Sequence, residues 1–164
     1  GVLTMLHLAR GSVWLPIIAT PPADPVAVFY DLLLSDARQQ RPRLEVCKVL
    51  QAGAQQRAWG LANGQPWAHH DSAGRGANGI ARSLGCNLPG SYSDNENYVE
   101  SLTAGTGDGQ EAFNSLARSA HHRTHLFGEN DFFRQQYHVG VGFAQNGGAP
   151  YQFYWTIWCA ACLD

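Results

Sequence analysis

The sequence predicts an α+β fold, a sandwich of helices around an antiparallel sheet, and three observations carry that prediction. Helical periodicity fills the early part of the chain. Two strand-like runs near the end, Tyr137–Ala144 with Gly140 and Gly142 in it and Gln152–Trp158 with alternating side chains, are joined by Asn146-Gly147-Gly148, a hairpin turn signal. Helical segments stand between these regions, an order that suggests helices packed on an antiparallel sheet. At 164 residues with 45% hydrophobic composition, the chain has the size of one domain and can bury a core without staples.

Residues 1–23 show no helical period, and Val13–Ile18 reads as a short strand or an extended arm. That segment is assigned as an N-terminal arm or linker, and residues 24–164 as the domain. Asp24-Pro25 opens a helix, because Asp caps and Pro is tolerated at the first helical position. Val26, Phe29, Tyr30, Leu33 and Leu34 then form one face. After Arg41-Pro42-Arg43 a second helix is expected from about Glu45 to Trp59, with Cys47, Leu50, Ala54 and Ala58 inward and its glutamines outward. Residues 60–79 form a loop rich in Gly, Asn and Asp, and a short helix with Ile80 and Leu84 ends at Gly85.

A strand is expected around Tyr98–Leu102. Asp108 with Glu111 three residues on resembles a capping box, opening a helix with Phe113 and Leu116 inside. That helix leads into His121-His122-Arg123-Thr124-His125. Two strands close the chain, Tyr137–Ala144 and Gln152–Trp158.

The 11 Lys+Arg against 13 Asp+Glu nearly cancel, and the Arg residues are scattered, which speaks against a nucleic-acid partner. No apolar run reaches the roughly 18 to 20 residues of a spanning helix, since Pro16, Pro21 and Pro22 break the first candidate. No charged and apolar leader opens the sequence, so localisation is not read from one. Cys47, Cys86, Cys159 and Cys162 allow three pairings into two disulfides, or stand as buried thiols. Cys159-Ala-Ala-Cys162 ends a strand-like run, not the helix N-terminus a redox pair uses, and no second close pair completes a zinc site.

The landmarks from Asp24 to Trp158 together resemble the CAP superfamily of cysteine-rich secretory, antigen 5 and pathogenesis-related proteins, above all its bacterial secreted SCP-like members. Ala68-His69-His70-Asp71-Ser72-Ala73-Gly74 is similar to the family's Ser-His-x-x-Pro-x-Gly segment, with Ala for Ser. Ser119-Ala120-His121-His122-Arg123-Thr124-His125-Leu126 is similar to its Ser-Pro-x-His-Arg-x-x-Leu, which puts His122 at the second histidine position. His138-Val139-Gly140-Val141-Gly142 resembles its Gly-Val-Gly strand, and Tyr154-Trp155-Thr156 its closing strand. For the acidic position, Asn95-Glu96-Asn97 matches Gly-Glu-Asn and points to Glu96, while Asn97-Tyr98-Val99-Glu100-Ser101 matches a bacterial variant and points to Glu100. A regular strand through both would put the two carboxylates on one face.

The resemblance implies a three-layer α-β-α sandwich, a secreted or cell-surface location, and a cleft lined by His69, His122 and Glu96 or Glu100. Two neutral imidazoles and a carboxylate suit a divalent metal, zinc first, and the ligand set is taken as His69, His122 and Glu100. The same residues equally suit a hydrogen-bonded cluster that fixes loops to the sheet, with pH-sensitive histidines. His121 and His125 have the i, i+4 spacing of a zinc protease motif but lack its Glu. His70, His121, His125 and His138 are expected at the surface or in loop packing, with His70 and His121 beside the cleft. Ser119 and Ser72 lack the strained elbow of a serine nucleophile, and the aromatic run 151–158 reads as sheet core. The implied function is a binding or interaction module for an extracellular protein, glycan or lipid; the alternative is a metal-dependent hydrolase with the Glu as general base.

Overall fold

Asp24 caps the first helix as expected: its carboxylate accepts a 3.0 Å hydrogen bond from the Val26 N–H, with Pro25 at the first position of α1, Pro25–Ser35. The structure, a computed structural model, describes residues 22–163, so nearly all of the expected N-terminal arm, Val13–Ile18 included, lies outside the described residues. After α1 come β1 (Glu45–Val46), α2 (Lys48–Ala62), α3 (Ala77–Ser83), β2 (Glu100–Ala104), α4 (Gly109–Arg118), α5 (Ala120–Phe127), α6 (Asp131–Arg134), β3 (His138–Gln145) and β4 (Phe153–Ala160).

The strand order is β1-β3-β4-β2. The β3–β4 hairpin and the β2–β4 pair are antiparallel, whereas β1 runs parallel to β3, so the sheet is mixed and not purely antiparallel as expected. The parallel strand comes from residues read as the start of the second helix. Glu45 and Val46 pair with His138 and Val139, Cys47 keeps an extended backbone, and its N–H donates to the Val139 carbonyl at 3.0 Å. Only then does α2 begin.

Because side chains alternate across a strand, the sheet has two buried faces. Val139, Val141, Trp155, Ile157 and Cys159 pack on Phe29 and Leu33 of α1, Phe113 and Leu116 of α4, and Leu126 and Phe127 of α5. On the opposite face Trp158 and Ala160 meet Leu50 and Ala54 of α2 and Ala77 and Ile80 of α3. Three layers, helix on sheet on helix, result. The Asp108 cap of α4 also forms, accepting from the Gln110 and Glu111 N–H groups, but Glu111 does not reach back to the cap; its carboxylate accepts from the Thr106 hydroxyl at 2.7 Å.

Gly140 and Gly142 explain why α2 sits so close to the sheet. A Cβ at Gly142 would stand 2.0 Å from the Ala54 carbonyl oxygen, and one at Gly140 2.2 Å from the Leu50 carbonyl carbon. Helix backbone rests on strand backbone there, a contact that only glycine allows. Of the α2 glutamines, expected outward, Gln56 is exposed, whereas Gln51 and Gln55 turn to β3. Beyond Val139 strand β1 has ended, and the β3 edge would be bare. The Gln51 carboxamide donates to the Val141 carbonyl at 2.7 Å and accepts from its N–H at 3.2 Å; Gln55 does the same with Phe143 at 2.7 and 3.1 Å. Tyr30 joins this rung, accepting from the Val141 N–H at 2.8 Å and donating to Gln51.

Candidate functional site

Strand β2 is the edge strand of the sheet opposite β1, and its first residues, Glu100 and Ser101, point to opposite helix layers. A cleft of about 360 Å³ opens beside them, with His69, Glu100, Ser101, His121, His122 and His125 among its lining residues.

Local sequence explains how β2 starts here. The Asn97 side chain accepts from the Glu100 N–H at 2.9 Å and donates to the Glu100 carbonyl at 3.0 Å, standing in for a neighbouring strand. Fully buried Asn78 ties the preceding turn, accepting from the Tyr98 N–H at 2.9 Å and donating to the Ser93 carbonyl at 2.8 Å. Gly76 lets that turn approach, since a Cβ there would meet the Asn95 and Glu96 backbone at 2.5 to 2.6 Å. The turn leaves Glu96 exposed and outside the cleft. Of the two registers, the one through Asn97 and Glu100 is therefore the one that reaches the cleft, and Glu96 is corrected to a solvent-facing turn residue. A regular strand does not run through both positions; it begins at Glu100.

Glu100 is buried with both carboxylate oxygens engaged. One carboxylate oxygen meets His69 Nδ1 at 3.0 Å; the other accepts from Arg57 Nε at 3.1 Å and from the Trp158 indole N–H at 3.0 Å. Burial by itself would raise this carboxyl, but the His69, Arg57 and Trp158 contacts outweigh it and hold the group below its ordinary value. Arg57, itself buried, also donates to the Ala68 carbonyl at 2.5 Å, so one guanidinium fixes both the carboxylate and the loop carrying His69. Asp71 staples the rest of that loop by accepting from the Ala73 and Arg75 N–H groups, each at 3.0 Å.

Helix α5 supplies the other wall. His122 is half-buried; burial first, then the neighbouring His69 and His121, lowers its pKa, which favours the neutral imidazole. His121 is exposed at the rim. His125, expected at the surface or in loop packing, is buried and forms a 2.7 Å hydrogen bond between its Nδ1 and the Ser101 hydroxyl. Burial, reinforced by the Arg41 guanidinium and by His122, draws its pKa from 6.5 down to about 3. A neutral ring can accept a hydrogen bond from the Ser101 hydroxyl at Nδ1, while its Nε2 is buried without a hydrogen-bond partner. Arg41 is close because it caps α5, donating to the Leu126 carbonyl at 2.7 Å and the His125 carbonyl at 2.6 Å.

The remaining sequence-marked residues lie elsewhere. His70 stands outside the cleft lining, bonded at 3.2 Å to the Asp71 carbonyl. His138 accepts from the Cys162 N–H at 3.2 Å, and Ser119 is the N-cap of α5. Trp155 and Trp158 are fully buried, as expected of sheet core. Sequence reasoning missed Arg57, Arg41, Ser101 and Trp158. The available signal for Arg57 was its place on the small-residue face of α2, beside Ala54 and Ala58.

As a metal centre, the arrangement offers imidazoles but no spare carboxylate. Among the described residues no three His, Cys, Asp or Glu side chains converge as a ligand group. Glu100 has both oxygens occupied and a guanidinium against it. It holds His69 by Nδ1, which leaves Nε2 as that ring's remaining donor atom, and a carboxylate behind a histidine is a usual support for a ligating imidazole. His69 and His122 both line the cleft.

No family model and no curated sequence matches the chain. Among solved structures it is similar to an outer surface protein from Borrelia burgdorferi, with a TM-score of 0.64 and 14% identity over 88% of this chain and 97% of that one. It is also similar to an extracellular protein containing an SCP domain from Bacillus anthracis, with a TM-score of 0.59 and 18% identity over 82% of this chain and 40% of that one. The chain therefore corresponds to less than half the length of the Bacillus protein. The fold is SCP-like, a CAP-type α-β-α sandwich. No helix among the described residues is long and apolar enough to cross a membrane.

Proposed function

From an SCP-like fold with a buried carboxylate beneath a histidine cleft, we propose that the chain is a secreted or cell-surface interaction module whose cleft holds a divalent metal ion, zinc first, between His69 and His122. The observation that carries this reading is the 3.0 Å contact from Glu100 to His69 Nδ1, locked by Arg57 and Trp158. It presents His69 in a fixed tautomer, with Nε2 as donor, and the lowered pKa of His122 keeps that ring unprotonated at neutral pH. A bound ion would supply a positive centre with open positions for a carboxylate or hydroxyl of an extracellular protein or glycan. The polar, imidazole-rich wall suits such groups better than a lipid chain.

The hydrolase alternative needs Glu100 free to take a proton from an attacking water. With both oxygens engaged and its pKa held low, Glu100 is poorly suited to that role, which favours binding over turnover. Elemental analysis after dialysis against zinc tests the proposal on wild type, Glu100→Gln and the double variant His69→Ala, His122→Ala. The expected result is near-stoichiometric zinc in wild type, none in the double variant, and affinity reduced about 10- to 100-fold in Glu100→Gln. Equal zinc in wild type and the double variant would sink the metal role and leave the histidines as structural groups.

A further inference from the structure

The structure assigns one disulfide to this chain: we propose that Cys47 and Cys162 are joined, while Cys86 and Cys159 stay as buried thiols. The two Sγ atoms lie 3.5 Å apart. Their backbones are set by consecutive residues of β3, since the Cys47 N–H donates to the Val139 carbonyl at 3.0 Å and the Cys162 N–H to His138 Nδ1 at 3.2 Å. The next residue is held as well, with the Leu163 N–H bonded to the Asn87 carbonyl at 2.9 Å. Forming the bond therefore requires side-chain rotation and a small approach, not a rearrangement of the chain.

The pairings that involve Cys159 fail on placement. Cys159 is fully buried in the layer with α1 and α4, whereas Cys86 is buried in the layer with α2 and α3, and the sheet separates them. The same separation splits Cys159 from Cys162, which packs on the α2 side, so the Cys-x-x-Cys spacing is not a redox pair. Cys86 shares the cluster of Cys47 and Cys162, but burial pushes its thiol up to about 12, and a thiol that stays protonated is a poor nucleophile for exchange.

The reaction is a thiol–disulfide exchange. The Cys47 and Cys162 S–H bonds break, an S–S bond forms between them, and two electrons and two protons pass to a small-molecule disulfide, whose own S–S bond is cleaved to two thiols. The site lies at the β1 edge, across the sheet from the histidine cleft, so its outcome is separable from the metal proposal.

Purified protein incubated with glutathione disulfide, alkylated in denaturant without reductant, digested and mapped by mass spectrometry decides the matter. Expected are one linked peptide pair containing Cys47 and Cys162, and alkylation at Cys86 and Cys159 alone. Because the closed loop spans 115 positions, reduction should then lower Tm by roughly 10 °C. Cys47→Ser should show neither the link nor the reductant-dependent shift. Four alkylated cysteines in wild type, a link through Cys86 or Cys159, or an equal reductant shift in Cys47→Ser would overturn the assignment.

Discussion

His125 should make the fold acid-sensitive well above the range where carboxylates titrate. In the unfolded chain the imidazole takes up a proton near its ordinary 6.5, whereas in the fold that proton is refused until about pH 3. The unfolded state thus binds more protons throughout this window, and stability falls as pH falls through it. For a single buried group the loss between pH 8 and pH 5 amounts to about 2 kcal/mol, growing toward about 5 kcal/mol below pH 3. Urea unfolding at pH 8, 6.5 and 5, followed by the fluorescence of buried Trp155 and Trp158, measures it. His125→Asn removes the titration and keeps an acceptor for the Ser101 hydroxyl. His122 contributes in the same direction in both proteins, so their difference isolates His125. Wild type should lose about 2 kcal/mol more than the variant between pH 8 and 5; equal losses would refute the burial of a neutral ring at this position.

Three further outcomes follow from the same contacts. Glu100→Gln leaves Arg57 buried without its counter-charge and should cost about 3 kcal/mol in urea unfolding at pH 7. Since the folded Glu100 pKa is depressed, its contribution is present above the ordinary 4.5 and lost as pH falls below it, so wild type should show a further acid-side decline that Glu100→Gln lacks. Gly142→Ala drives a methyl into the Ala54 carbonyl and should cost about 3 kcal/mol or more, read as a lowered urea midpoint; a neutral effect would mean that α2 can lift off the sheet freely. Gln51→Leu leaves the Val141 carbonyl without its donor and should cost about 1 to 3 kcal/mol in urea unfolding, while Gln55→Leu, at an exposed rung where water can substitute, should cost about 1 kcal/mol or less.

Much of the layer order was legible in the residues because it rests on local signals. Asp24-Pro25, Asp108 and the Asn146-Gly147-Gly148 turn each act within a few residues, and the alternation of the last strand states which side chains meet which layer. The parallel strand β1 was not legible, since two residues carry no period and its pairing depends on β3, some ninety positions away. The histidines were visible as chemistry, but their states were not. His122 and His125 stand three residues apart on one helix and both border the cleft, yet one is half-buried and the other buried against Ser101. Glu96 and Glu100 are indistinguishable as residue types; the Asn97 carboxamide, which starts the strand at Glu100, separates them. Arg57 was hidden because a lone Arg in a helix ordinarily faces solvent.

The glutamine rungs on β3 amount to a helix imitating a strand, and the imitation has a finite reach. Four residues of α-helix advance about 6.0 Å, and two residues of strand about 6.6 to 6.8 Å. The rulers start in step at Cys47 opposite Val139 and hold for Gln51 opposite Val141 and Gln55 opposite Phe143. One further step would put Trp59 opposite Gln145, and there the register lapses: Trp59 is 63% exposed. A helix can thus close a sheet edge for about three rungs before the mismatch in pitch accumulates. Within those rungs β3 has no vacant donors or acceptors to offer a strand from another molecule, so α2 guards the sheet against edge-to-edge association.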